Sequence, residues 1–119
     1  LVTGVQTCAL PISAVKSYTE CLQHELRNTE GCQVTAHLLV PGWTTTGTAE
    51  HKPGAWLPDE VVDHMIAALD RGDFYIICPD GEVTPEMDRA RILWAAGDIV
   101  ENRPPLSRWH PEYADSFKE

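Results

Sequence analysis

Two short apolar runs, each cut off by a proline, set the limit on what this chain can fold into. Residues 32–40 carry Val34, Ala36, Leu38, Leu39 and Val40 and stop at Pro41-Gly42, while the aromatic and β-branched stretch FYIIC, 74–78, stops at Pro79-Asp80-Gly81. Such runs closed by turn residues read as strands. The apolar close of the first is typical of a parallel strand covered on both faces.

The segments around them have helical spacing. Residues 14–28 place Val15, Tyr18, Leu22 and Leu26 along one stripe, with Lys16, Glu20, Gln23 and Arg27 on other faces, until Thr29-Glu30-Gly31 breaks the pattern. Tyr18 falls on this stripe as a core or helix-packing residue. Pro58, followed by Asp59 and Glu60, opens a second helix that runs to about Arg71 on the stripe Val61, Val62, Met65, Ile66 and Leu69, with Gly72 as its stop. Thr84-Pro85-Glu86 opens a third, which Met87, Ala90, Ile92, Leu93, Ala96 and Ile99 carry to about Val100. Between the first strand and the second helix, residues 43–57 are Thr-, Gly- and Pro-containing and aperiodic, and a connection of that length is usually a functional loop or lid. From Asn102 onward the chain is a tail rich in Pro and aromatic residues.

Helix, strand, long loop, helix, strand, helix is an α/β order, implying parallel strands joined by a right-handed crossover. Parallel sheets usually hold about four to six strands, and two have too little covered face to stand alone. The expected fold is therefore an incomplete α/β domain. Its 119 residues and 43% hydrophobic composition suit one modest globular unit. A formal charge of −9 argues against nucleic acid, which needs clustered Lys and Arg.

Residues 2–13, VTGVQTCALPIS, carry no charge, so all the acidity lies beyond them. The surrounding uncharged run is interrupted by Gly4 and Pro11 and falls short of the ~18 apolar residues of a membrane helix. It also lacks the positive start of a signal peptide. The string resembles the in-frame translation of a short-read sequencing adapter, whose codons give Thr3 through Ile12 and whose last base opens the codon of Ser13. Fusion scars are set aside in fold reasoning. The organisation expected is an adapter-derived artefact over residues 1–13, a partial domain over 14–101 and the tail over 102–119.

With Cys8 inside that string, Cys21, Cys32 and Cys78 remain as an odd, widely spaced set, a reduced and cytosolic pattern. His24, His37, His51, His64 and His110 do not pair at metal-ligand spacing, so no zinc site is expected. A hydrolase built on Cys32 or Cys78 is disfavoured, because both fall in apolar runs that keep a thiol protonated.

AVKSYTECLQHELR, 14–27, resembles the helix that follows the catalytic Tyr-x-x-x-Lys of the short-chain dehydrogenases/reductases. VTAHLLVPGWTTT, 34–46, resembles that family's sixth strand and Pro-Gly loop, and ENRPPLSRWHPEY resembles the extension of some members. The resemblance implies the C-terminal part of a Rossmann-type doubly wound parallel sheet, and a parent that moves hydride between NAD or NADP and an alcohol or carbonyl substrate. It assigns cofactor contact to Pro41, Gly42, Thr44 and Thr46, with Thr46 on the position that meets the nicotinamide carboxamide. Thr44 departs from the usual Val or Ile. Trp43 and Trp56 bracket the loop as aromatic walls of a substrate pocket, or else pack the loop onto its own helix. His51 and Lys52 read as solvated.

The resemblance also places the catalytic Lys a couple of residues before Ala14, where Pro11 and Ile12 stand, and the Tyr and Ser earlier still. Tyr18 cannot replace that Tyr, since Leu22 rather than Lys stands four residues on. No G-x-G-x-x-G occurs. The chain itself is thus expected to lack catalytic residues, to turn nothing over and to bind no dinucleotide tightly. The alternative is a non-catalytic α/β module that forms a homo-oligomer through helix 14–28.

Overall fold

The computed structural model describes the backbone of residues 4–117 and the side chains of 13–117. Two compact units emerge, one of Leu1–Pro41 with Pro58–Cys78, the other of Gly42–Leu57 with Pro79–Glu119.

In the first unit, α1 spans Gly4–Asn28 and therefore begins ten residues before the stretch whose periodicity predicts it. The helix continues through Pro11, which has no amide to donate and is a poor interior helix residue. Residues 2 and 3 of the adapter-like string, and its side chains through residue 12, lie outside the described residues. Leu22 and Leu26 are half-buried, but Val15 is exposed and Tyr18 is 71% exposed, which corrects the expectation of Tyr18 as a core residue. What ties α1 down is polar: Gln23 Oε1 accepts the Ala36 amide at 2.6 Å, and the Tyr75 hydroxyl donates to Glu20 Oε1 at 2.5 Å.

The sheet is a parallel pair, β1 (Leu38–Val40) and β2 (Tyr75–Ile77), in register Leu38↔Tyr75, Leu39↔Ile76 and Val40↔Ile77. Leu38 N–H to Phe74 O and Cys78 N–H to Val40 O, 2.8 and 2.9 Å, extend the ladder at either end. The first strand is much shorter than 32–40, and Val34 is 66% exposed rather than buried. The reason is a missing partner, since β2 starts only at Tyr75. Ahead of it, His37 takes over with its side chain, Nδ1 donating to Asp73 O at 2.6 Å while Nε2 accepts the Thr35 hydroxyl at 2.9 Å.

Helix α2 occupies Pro58–Arg71, as its proline and acidic first turn predict. Gly72, at φ +77°, ends it: its N–H bonds Leu69 O at 2.9 Å and the Asp73 N–H bonds Ala68 O at 3.0 Å, the paired pattern of a Schellman stop. Val61 and Ala68 are buried with Leu38, Ile76 and Cys78 in the unit's core. His64 leans from the same face, donating from Nε2 to Ile77 O at 3.1 Å. Val62, Ile66 and Leu69 are exposed, so only Val61 and Met65 of the five predicted stripe residues are covered.

In the second unit, α3 spans Pro85–Val100, with the Thr84 hydroxyl capping the Met87 amide at 3.3 Å. Ile92, Leu93, Ile99 and Val100 are all exposed. The residues after 101 are not a loose tail. Two 3-10 turns, Ser107–Trp109 and Pro111–Tyr113, fold back on α3, where fully buried Ser107 accepts Trp94 Nε1–H at 2.7 Å and donates to Asp98 Oδ1 at 2.5 Å. Arg103 stacks over the Trp94 ring at 4.0 Å, donates to Trp94 O at 2.6 Å and pairs with Asp98 at 3.0 Å, close enough for charge attraction but not aligned as a hydrogen bond. Gly97 lies beneath it, and a Cβ there would have to push the guanidinium aside.

Candidate functional site

The residues singled out by the Pro-Gly loop divide between the two units. Pro41 follows β1 directly in the first and is exposed, whereas Gly42, Trp43, Thr44, Thr46 and Trp56 belong to the second. There the loop closes on itself through one parallel bridge, Thr44↔Trp56. Trp56 N–H donates to Trp43 O and Thr45 N–H to Trp56 O, both at 2.9 Å. The aperiodic sequence between them is thus held by backbone pairing at its base.

Trp43, Thr44 and Thr46 line one small cleft of about 280 Å³, with Ala49, Lys52 and buried Ala55 among the other walls. Trp56 is held at the bridge and is not one of those walls. The Thr44 hydroxyl donates to Gly42 O at 3.1 Å, so it is turned onto its own backbone. Thr46 is exposed, and its carbonyl accepts the Ala49 amide at 3.2 Å. Thr45, which the sequence reading passed over, shares a 2.9 Å hydrogen bond with His51 Nδ1.

A second residue that the sequence reading took only for turn chemistry is Asp80. One carboxylate oxygen accepts the Glu82 and Val83 amides at 3.0 and 2.8 Å, and the other accepts the Trp43 amide at 3.0 Å. The Trp43 bond foremost, then the two turn amides and the positive Arg91, hold this carboxyl below the usual carboxylate range against a desolvation cost. The Asp in a Pro-Asp-Gly turn was the available signal. What no local pattern carries is the donor, the Trp43 amide 37 residues away.

Cys78 is 2% exposed and burial pushes its thiol up, away from the thiolate a nucleophile needs. Cys32, expected in a buried strand, lies outside β1 and is half-buried. Among the described residues no group of three His, Cys, Asp or Glu side chains is arranged to hold a metal ion. Nor, among them, is any helix long and apolar enough to cross a membrane. Comparison with protein-family models, with curated proteins and with solved structures returned no match.

Proposed function

We propose that this chain is the C-terminal part of an NAD(P)-dependent short-chain dehydrogenase/reductase, joined at residue 13 to translated adapter DNA. The observation that carries the reading is the order of parts: a helix, a parallel strand ending at Val40, Pro41-Gly42 immediately after it, and a Thr-rich loop whose Thr44 and Thr46 meet in one cleft. Ligands of open α/β sheets gather on the loops that follow the carboxyl ends of parallel strands.

The cleft fits one end of a dinucleotide and no more, since sites for whole ligands run from about 300 to 1,000 Å³. NAD or NADP, held by the intact parent, would supply the hydride. Thr46 would offer its hydroxyl to the carboxamide, and Trp43 would shield that end from water. Thr44, whose hydroxyl donates to Gly42 O, would meet the ligand with its acceptor lone pairs and methyl group. Proton transfer to an alcohol or carbonyl substrate falls to Tyr and Lys residues of the parent, so this chain is inactive by itself.

Exposed Val15 and Tyr18 on α1 favour a second role for that helix, as a face that pairs with another copy of the parent. The distinguishing experiment restores the parent's whole upstream sequence, Gly-rich turn included, in place of residues 1–13 and titrates both proteins with NADH and NADPH, following cofactor fluorescence. The restored protein is expected to bind one of them and the present chain neither. Saturable binding by the present chain, or none by the restored one, overturns the proposal.

A further inference from the structure

The turn after β2 and the loop 42–57 are fastened to each other at two points within the second unit. At one, the Trp43 amide donates to Asp80 Oδ2 at 3.0 Å. At the other, the Gly81 amide donates to Gly54 O at 2.8 Å, with the two backbones so close that a Cβ on Gly81 would lie 2.7 Å from Gly54 Cα. Gly54 itself stands at φ +94° with the Trp43 ring against it, so the glycine pair and the tryptophan form one seam.

We infer that Asp80 is the positioning residue of the cleft, a latch whose second carboxylate oxygen holds the Trp43 wall in place. The inference goes beyond any assignment of cofactor, because it concerns what shapes the cleft and not what enters it. The division of labour between the two oxygens makes the role separable from ordinary turn formation. Oδ1 is occupied by Glu82 and Val83, which would form the same Asx-type turn if no loop were there. Oδ2 serves Trp43 alone among the described bonds. A charged acceptor also makes the stronger kind of hydrogen bond.

Asp80→Asn tests this directly, because the amide oxygen still accepts the turn amides while the NH2 presents a donor to the Trp43 donor. Hydrogen exchange is followed by NMR on the ¹⁵N-labelled full chain. The Trp43 amide is expected to exchange about tenfold faster in the variant, as for the loss of one net hydrogen bond, while Glu82 and Val83 stay protected. Unchanged protection of Trp43, or equal loss at all three amides, overturns the latch. Should D80N fail to fold, the wild-type chain gives the answer by pH. The charged groups around Asp80 are Arg91 of α3, which favours ionisation, and the neighbouring Glu82 side chain, which reaches Gly54. The amide shifts of Trp43, Glu82 and Val83 are expected to move together at one inflection below the ordinary carboxylate range. An inflection seen at the turn amides but absent from Trp43 overturns the latch equally.

Discussion

Ile76 is the largest side chain of the first unit's core to be almost fully withdrawn from water, at 2% exposure, and its truncation should show how much of that unit's stability rests on one position. Ile76→Ala removes three carbons, which at ~0.8 kcal/mol each amounts to about 2.4 kcal/mol of lost transfer free energy. A cavity term is added, and measured costs for such truncations span about 2–5 kcal/mol depending on how far the surroundings close in. Here they can close in, because α2 packs with Val61 and Ala68 while Val62, Ile66 and Leu69 on its outer side are 38–50% exposed. The expected loss is therefore in the lower half, about 2.5–3.5 kcal/mol, against about 1 kcal/mol for Ile76→Val. Urea unfolding at low micromolar concentration, followed by far-ultraviolet circular dichroism with a shared slope, gives both values. Two results refute the reasoning: an Ala variant within about 0.5 kcal/mol of wild type, or a Val variant that costs as much as Ala.

Gly72→Ala should cost about 1 kcal/mol, a left-handed penalty of about 1–2 partly offset by a less flexible unfolded chain, because nothing crowds the new Cβ and only φ +77° is at issue. Gly72→Asn should recover part of the loss in the same urea assay, and equal stability of Ala and Asn contradicts the assignment. Maleimide labelling read cysteine by cysteine in a mass spectrometer should modify exposed Cys21 quickly and Cys78 only on unfolding, whereas equal rates would mean that Cys78 is not buried. The Asp98 carboxyl is held low by the Ser107 hydroxyl first, then by the Ser107 amide and Arg103. Because its folded value lies below the unfolded one, its contribution is fully present above the ordinary carboxylate pKa of ~3.9 and disappears as pH falls through the lowered value. Melting temperature against pH should thus drop more steeply below about pH 4 for wild type than for Asp98→Asn, and parallel curves contradict the pairing.

Local chemistry was the legible part of this fold. Proline, acidic residues and glycine bounded α2 at both ends because capping acts within a turn or two of the chain. The extent of β1 was not legible, since a strand is as long as its partner allows and the partner begins at Tyr75. The stripes on α1 and α2 identified helices correctly but overstated burial: Tyr18 and Ile66 have the right spacing yet are 71% and 50% exposed. The fold-back of residues 102–117 depends on Ser107 meeting Trp94 and Asp98, a pairing across 13 and 9 residues that no periodicity encodes. In the candidate site, sequence indicated the Thr-rich loop but not the carboxylate that fastens it, for the same reason of distance along the chain.

Independent sequencing of the source DNA across codon 13, the proposed junction between adapter and gene, is the most direct test of the proposal. The result expected is an open reading frame in which a Tyr-x-x-x-Lys motif, its Lys a couple of residues before Ala14, runs directly into AVKSYTECLQHELR. A read that reproduces VTGVQTCALPIS as native coding sequence contradicts it.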